Sequence, residues 1–286
     1  MHLFFQELIN GLVVGSLYAL VALGLALIYG TMGIPNFAHG HLYMLGAYVA
    51  FAGVTIAHIG YWPALVLAVV VLAAIGVLLE RVVFRPLRNA PEVNTIIAAV
   101  GVLFFLQTLA QVWFGGDFRV LPTPYDHVVH LGDFVATQQQ LIVIAAAAVL
   151  MVLLFLFLKR TLLGATVEAV AQNRAGAALV GIDTERVSML VFGISAGLAA
   201  AAATLIASIS LISPTMGFSV ILKAFAVIVL GGMGSIPGAI VGAFILAFAE
   251  SFGGAYISTS YQDVIAFAVL AFILAVKPTG LFAKGT

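Results

Sequence analysis

The chain has 286 residues, of which 64% are hydrophobic and 8% charged, with zero formal net charge and no cysteine. Soluble globular domains carry about 25% charged residues, so a soluble fold is excluded, and the apolar runs are too continuous for the alternating strands of a β-barrel. Zero charge gives no electrostatic case for nucleic acid, and the missing thiols exclude disulfides, thiolate metal sites and thiol redox chemistry.

Spanning a bilayer takes roughly 20 apolar residues. Runs at 8–29, 42–59, 62–83, 96–114, 141–158, 187–212, 236–252 and 264–276 reach or approach that length, the last beginning near Ile257. The first run lacks a basic leader and a small-residue cleavage site, so it reads as a mature helix and not as a signal peptide. A ninth run, 221–230, is about half a span and stops at GGMGSIPG, residues 231–238. The expected architecture is all-α: a single polytopic transmembrane bundle over 1–286 with eight or nine membrane segments.

Basic residues collect in cytoplasmic loops. Seven of the eleven lie in two stretches: Arg81, Arg85 and Arg88, then Lys159, Arg160, Arg174 and Arg186. The intervening stretch, 115–137, sets Asp117, Asp126 and Asp133 against Arg119 alone. The amino terminus is therefore outside. Lys277 and Lys284 place the carboxyl terminus inside, which counts 221–230 as a crossing; eight crossings would place it outside. The polar island GATVEAVAQNRAGAALVGIDTER, residues 164–186, is cytoplasmic by the same rule. It reads as a short docking helix with Thr166 as a candidate cap, Glu168 near the positive helix end and Gly181 as its stop.

Two interruptions stand out. In the first, Pro35 drives Ile34 to an extended backbone and Asn36 is a good N-cap. The second is 231–238. Thr31-Met32-Gly33 precedes one and Thr215-Met216-Gly217 the other, and paired breaks in two halves point to inverted repeats with substrate handled where helices break. Backbone freed at membrane depth is tolerated when it is buried in protein or lines a cavity. The breaks are accordingly expected to face each other across a translocation path lined by Asn36, His39, Gly231, Gly232, Gly234 and Ser235. Gln107, Thr108 and Gln111 would add a polar helix face. The competing reading at each break is an ordinary interfacial turn.

Other polar residues carry less. His39 and His41 point in different directions on a helix and have no acid to complete a metal site; His127 and His130 also lack partners. Lys223 and Glu250 are the ionisable residues in strongly apolar surroundings, and both fit structural, interfacial positions, with Lys223 able to snorkel. Gly11-x3-Gly15, Gly193-x3-Gly197 and Gly234-x3-Gly238-x3-Gly242 are small-residue stripes for close helix packing. No phosphate-cradling loop, triad or carboxylate pair occurs, so nothing marks the chain as an enzyme or an ATP hydrolase. An ion-coupled secondary transporter would need intramembrane carboxylates, of which Glu250 is the one candidate.

The segments Asn10–Gly24 (NGLVVGSLYALVALG), Asn36–Gly40 (NFAHG), 42–48 (LYMLGAY), 169–173 (AVAQN), 177–182 (AALVGI), 222–226 (LKAFA), 230–239 (LGGMGSIPGA) and 277–282 (KPTGLF) resemble the LivH-type permease of branched-chain amino acid ABC importers. The likeness covers nearly the whole chain, although the family usually has arginine where Lys277 stands. It implies a multi-pass subunit of the bacterial inner membrane, paired with a second, LivM-like permease, two cytoplasmic ATPases and a periplasmic substrate-binding protein. It also implies no cofactor in this chain, with ATP and Mg bound by the partner subunits. The island 164–186 becomes the coupling loop, with Glu168, Ala169, Gln172, Asn173, Arg174 and Gly181 against the ATPase. Permeases for urea and short amides belong to the same family and are the alternative cargo. With no arginine to clamp a carboxylate and no acid at the breaks to hold an ammonium group, the path reads as a low-affinity corridor.

Overall fold

The computed structural model describes residues 2–131 and 134–282; Asp133 and Lys284, used in the charge argument, lie outside the described residues. The elements in chain order are α1 (His2–Met32), α2 (His39–Thr55), α3 (Tyr61–Leu79), α4 (Glu92–Phe114), β1 (Val128–Leu131), β2 (Phe134–Thr137), α5 (Gln138–Arg160), α6 (Leu162–Gln172), α7 (Arg174–Leu179), α8 (Thr184–Ile206), α9 (Met216–Gly231), α10 (Ile236–Tyr256) and α11 (Gln262–Val276). A π turn over Glu80–Phe84 prolongs α3, and a 3-10 turn over Thr259–Tyr261 precedes α11. Among the described residues seven helices are long and apolar enough to cross a membrane. Two more, α2 with 17 residues and α9 with 16, are shorter. Seven clear spans with these short helices match the expected eight or nine segments only approximately.

Helix α1 runs through the centre, touching α5, α8, α9 and α10. Its apolar window is 89% buried, whereas that of α11 is 6% buried. A helix that is apolar all round belongs inside a bundle or against lipid, and the fold uses both solutions. Small residues let the central helices approach. Gly11 and Gly15 of α1 face the rings of Phe248 and Phe244 of α10, and Gly193 faces Val77 of α3.

Two departures from the sequence reading have physical causes. The run 187–212 is apolar throughout, yet α8 ends at Ile206. Residues 207–212 leave the helix and fold back: Leu121 N–H donates to the Ala207 carbonyl at 2.9 Å, and Arg119 and Ile212 form an isolated bridge. Hydropathy cannot mark a helix end when the loop beyond it is also apolar in sequence, as Ala207, Ile209, Leu211 and Ile212 are. The outer stretch also holds a hairpin that the all-α expectation lacked, with Val128 paired to Thr137 and Leu131 to Phe134.

Candidate functional site

The polar island forms two helices, not one. Thr161, upstream of the expected start, caps α6 by accepting from Gly164 N–H at 2.9 Å. Thr166 instead donates to the Leu163 carbonyl. Glu168 lies in the middle of α6 and pairs with Lys159 at 2.7 Å, fixing the helix to the end of α5. Asn173 breaks the helix with an extended backbone and caps α7 through Gly176 N–H at 2.8 Å. Gly181, at φ 88°, ends the segment as expected, because that backbone conformation is nearly free only for glycine.

Arg174 anchors this segment. Its Nη1 donates to the carbonyl of Thr31 at the end of α1 and to Ser188 Oγ, and its Nη2 donates to the Thr184 carbonyl. Burial, then the neighbouring Arg88, lower its pKa from the ordinary arginine value. Arg85 pairs with Glu185 at the start of α8, and Arg88 pairs at 2.6 Å with Glu80, whose side chain is fully buried. The basic end of the bundle is thus one ionic lattice spanning α1, α3, α8 and the island. Exposed on the island or just before it are the apolar Leu162 at 88%, Leu179 at 89% and Val180 at 78%, together with the charged Asp183 and Arg186. Gln172 and Asn173 are exposed beside them, while Ala169 is half-buried. In the sequence Leu179 and Val180 stood only within the family-like segment 177–182, with no role of their own.

At the first interruption Asn36 accepts from Ala38 N–H at 3.1 Å, bending the chain within two residues. It does not cap α2, whose N-cap is Ala38. His39 Nε2 bonds the Val21 carbonyl at 3.1 Å, which requires the proton on Nε2. Asn36 Nδ2, His39 Nδ1 and both ring nitrogens of His41 are buried without a hydrogen-bond partner. Gly40 meets Gly217 so closely that a Cβ on Gly40 would strike the Gly217 carbonyl. The two short helices α2 and α9 therefore touch at their beginnings.

The second interruption does not face the first. Gly217 and Gly231 bound α9, about 21 Å apart at 1.5 Å per residue, and Asn36–Gly40 meets the Gly217 end. At the other end, Gly232 and Gly234 turn with φ 101° and 82°, and Ser235 caps α10 through Gly238 N–H at 3.2 Å. The last carbonyls of α9 need partners, and the tail supplies them. Leu281 and Phe282 N–H donate to the carbonyls of Leu230 and Gly231 at 2.9 and 3.0 Å. The junction is a packed turn beside Gly30, near the basic end. The echo of Thr31-Met32-Gly33 in Thr215-Met216-Gly217 is likewise not a structural equivalence: the first closes α1 and the second opens α9.

At the opposite end of the bundle lies a cavity of about 420 Å³, walled by Val13, Leu17 and Tyr18 of α1, Ile206 of α8, and Val220 and Lys223 of α9, with Glu250 of α10 reaching in. Lys223 pairs with Glu250 and, at 2.9 Å, with Asp263; the Lys223 and Glu250 side chains are 17% and 6% exposed. Tyr18 donates its hydroxyl to Glu250 at 2.7 Å. The two charges that read as separate interfacial residues pair across helices, 27 residues apart, Glu250 buried and Lys223 part-buried with exposed Asp263 as its second partner. The α4 residues stand elsewhere: Thr108 and Gln111 are exposed on the outward face, and Gln107, half-buried, comes within range of His41 without closing a hydrogen bond.

Seven long apolar helices, two short helices meeting inside the bundle, and a polar segment at the basic end define a multi-spanning transport permease. The chain belongs to the family described as branched-chain amino acid transport system / permease component, whose model matches residues 7–274. It is 38% identical to the high-affinity branched-chain amino acid transport system permease protein LivH of Escherichia coli (strain K12), over 98% of this chain and 96% of that protein. It is 37% identical to the permease protein BraD of Pseudomonas aeruginosa over the same shares. A solved structure, PsaBC from Streptococcus pneumoniae in complex with Fab, superposes with TM-score 0.53 at 14% identity, covering 96% of this chain and 93% of that one, a likeness of fold alone. The chain is a multi-pass protein of the bacterial inner membrane.

Proposed function

We propose that this chain is the translocating subunit of an ATP-driven importer for branched-chain or similarly apolar amino acids, docking onto a separate cytoplasmic ATPase through α6 and α7. The carrying observation is the exposed pair Leu179 and Val180 on a segment that Arg174 fastens to α1 and α8. Apolar side chains exposed on a polar, rigid element mark a protein contact, and a contact so fastened can pass movement into the membrane helices. Arg174, Glu168, Asn173 and Gly181 shape the segment; Gln172, Leu179 and Val180 meet the partner. ATP and Mg bind the ATPase subunits, a second permease completes the membrane unit, and an external binding protein delivers cargo. The relatives' names support the choice of cargo. The path runs from the outer cavity past Asn36 and His39, whose unpaired buried atoms remain free for passing polar groups. Gly231, Gly232, Gly234 and Ser235 hold α9 and α10 at its inner side, and the outward Thr108 and Gln111 fall outside it.

Vesicles carrying the assembled transporter test this reading. Leucine uptake should follow ATP and ignore proton or sodium gradients; uptake driven by a gradient without ATP would sink it.

A further inference from the structure

We propose that the Lys223–Glu250 pair is a recognition latch for the zwitterionic end of a free amino acid, with the apolar wall of the same cavity receiving its side chain. The inference rests on the amino-acid reading above and assigns it a place. Removing one partner of a buried pair is strongly destabilising because it leaves a buried charge uncompensated, and Glu250 is the buried charge here. A ligand carrying both an ammonium and a carboxylate can replace both partners at once. Its carboxylate takes the place of Glu250 on Lys223, and its ammonium takes the place of Lys223 on Glu250. The surroundings suit that exchange. Tyr18 holds the second oxygen of Glu250, so the carboxylate stays oriented when Lys223 moves away. Asp263 stays on Lys223 from its other side.

The cavity volume of about 420 Å³ lies within the range of small-molecule sites, about 300–1,000 Å³. Val13, Leu17, Ile206 and Val220 offer an aliphatic wall next to the pair. A neutral amide such as urea presents neither charge and leaves the latch closed. Affinity stays low because the ligand's contacts replace contacts already made, which suits a subunit that passes cargo on.

The absence of cysteine allows a direct readout on the assembled transporter in proteoliposomes. Ser219, on the cavity wall, is replaced as Ser219→Cys and labelled with a small membrane-impermeant maleimide. Leucine should slow labelling, while leucinamide and isocaproate, each lacking one charge, should not. Lys223→Met should weaken leucine protection about tenfold, the scale of one lost charge-assisted hydrogen bond, and Lys223→Arg should retain most of it. Equal protection by the three compounds, or leucine protection unchanged in Lys223→Met, overturns the latch while leucine uptake keeps the amino-acid reading intact. Uptake of urea in place of leucine overturns both.

Discussion

Arg174 donates to the backbone carbonyl of Thr31 at 3.1 Å and so ties the segment of α6 and α7 to the last turn of α1. Side-chain contacts between two helices can slide; a guanidinium bonded to a main-chain oxygen, and to Thr184 and Ser188 as well, cannot do so without breaking several bonds. The Arg174→Ala variant should hydrolyse ATP in the assembled complex and transport poorly, with leucine moved per ATP falling about tenfold, the scale of losing one charged hydrogen bond. Paired uptake and phosphate-release measurements decide it: an unchanged ratio removes Arg174 from the coupling route.

Leu179 and Val180 stabilise nothing within this chain that their exposure reveals. Charged replacements, Leu179→Glu with Val180→Lys, should leave the purified permease folded and its melting temperature unchanged. Co-purification of the ATPase should be lost. Full recovery of the ATPase on the variant would move the docking surface elsewhere.

Glu80 is fully buried with Arg88 as its ion partner. Arg88→Leu strands that carboxylate, and removing one partner of a buried pair costs about 3–5 kcal/mol. Thermal unfolding in detergent should shift strongly downward, and Glu80→Gln in the same background should restore part of the loss. No rescue would mean that Arg88 acts through other contacts.

The contact of Gly40 with Gly217 leaves no room for a side chain. Gly217→Val should push α2 and α9 apart, with the roughly 1–3 kcal/mol penalty of overpacking. Reduced yield of folded protein is the expected result, and a variant as stable as the parent would show that the crossing is loose.

Asp183 accepts from the backbone N–H groups of Glu185 and Arg186 at 3.1 Å. The Arg186 bond, then the Glu185 bond, holds its carboxyl below the usual aspartate range. A folded-state pKa below the unfolded one stabilises the start of α8 above the unfolded value, about 3.9, and that stabilisation disappears as pH falls through the folded value. Protection of the first-turn amides of α8 against hydrogen exchange, relative to an unstructured chain at the same pH, should therefore fall only below about pH 4. Asp183→Asn, which caps without titrating, should abolish the change; protection that falls equally in both proteins points to another group.

Much of this was legible in the sequence because lipid imposes a length and an apolar character on every span. The run 62–83 became Tyr61 to Phe84, and 141–158 became Gln138–Arg160. Gly181 announced its turn because a positive φ is so strongly a glycine property. What stayed hidden depends on contacts between distant residues. Lys223 and Glu250 pair only once α9 and α10 pack, so neither residue's neighbours in the chain reveal the other. The second interruption looked like a path element because its glycines resemble a break in mid-span. Only the tail, returning through Leu281 and Phe282 to the end of α9, shows that its carbonyls are already satisfied. Leu179 and Val180 stood within the family-like segment 177–182, but only their exposure in the fold separates them from buried Ala177 beside them.

The burial of α1 has a consequence for how the protein is made. Chains enter the membrane from the amino terminus, so the helix that ends at the centre leaves the ribosome before the helices that pack on it. Its uniformly apolar surface lets it wait in lipid, but its notches at Gly11 and Gly15 stay empty until Phe248 and Phe244 are synthesised and inserted. Assembly of this permease therefore closes late, from its last third inward. A truncation before α10 should leave the first helix stranded in the bilayer, prey to the membrane proteases that clear unassembled segments.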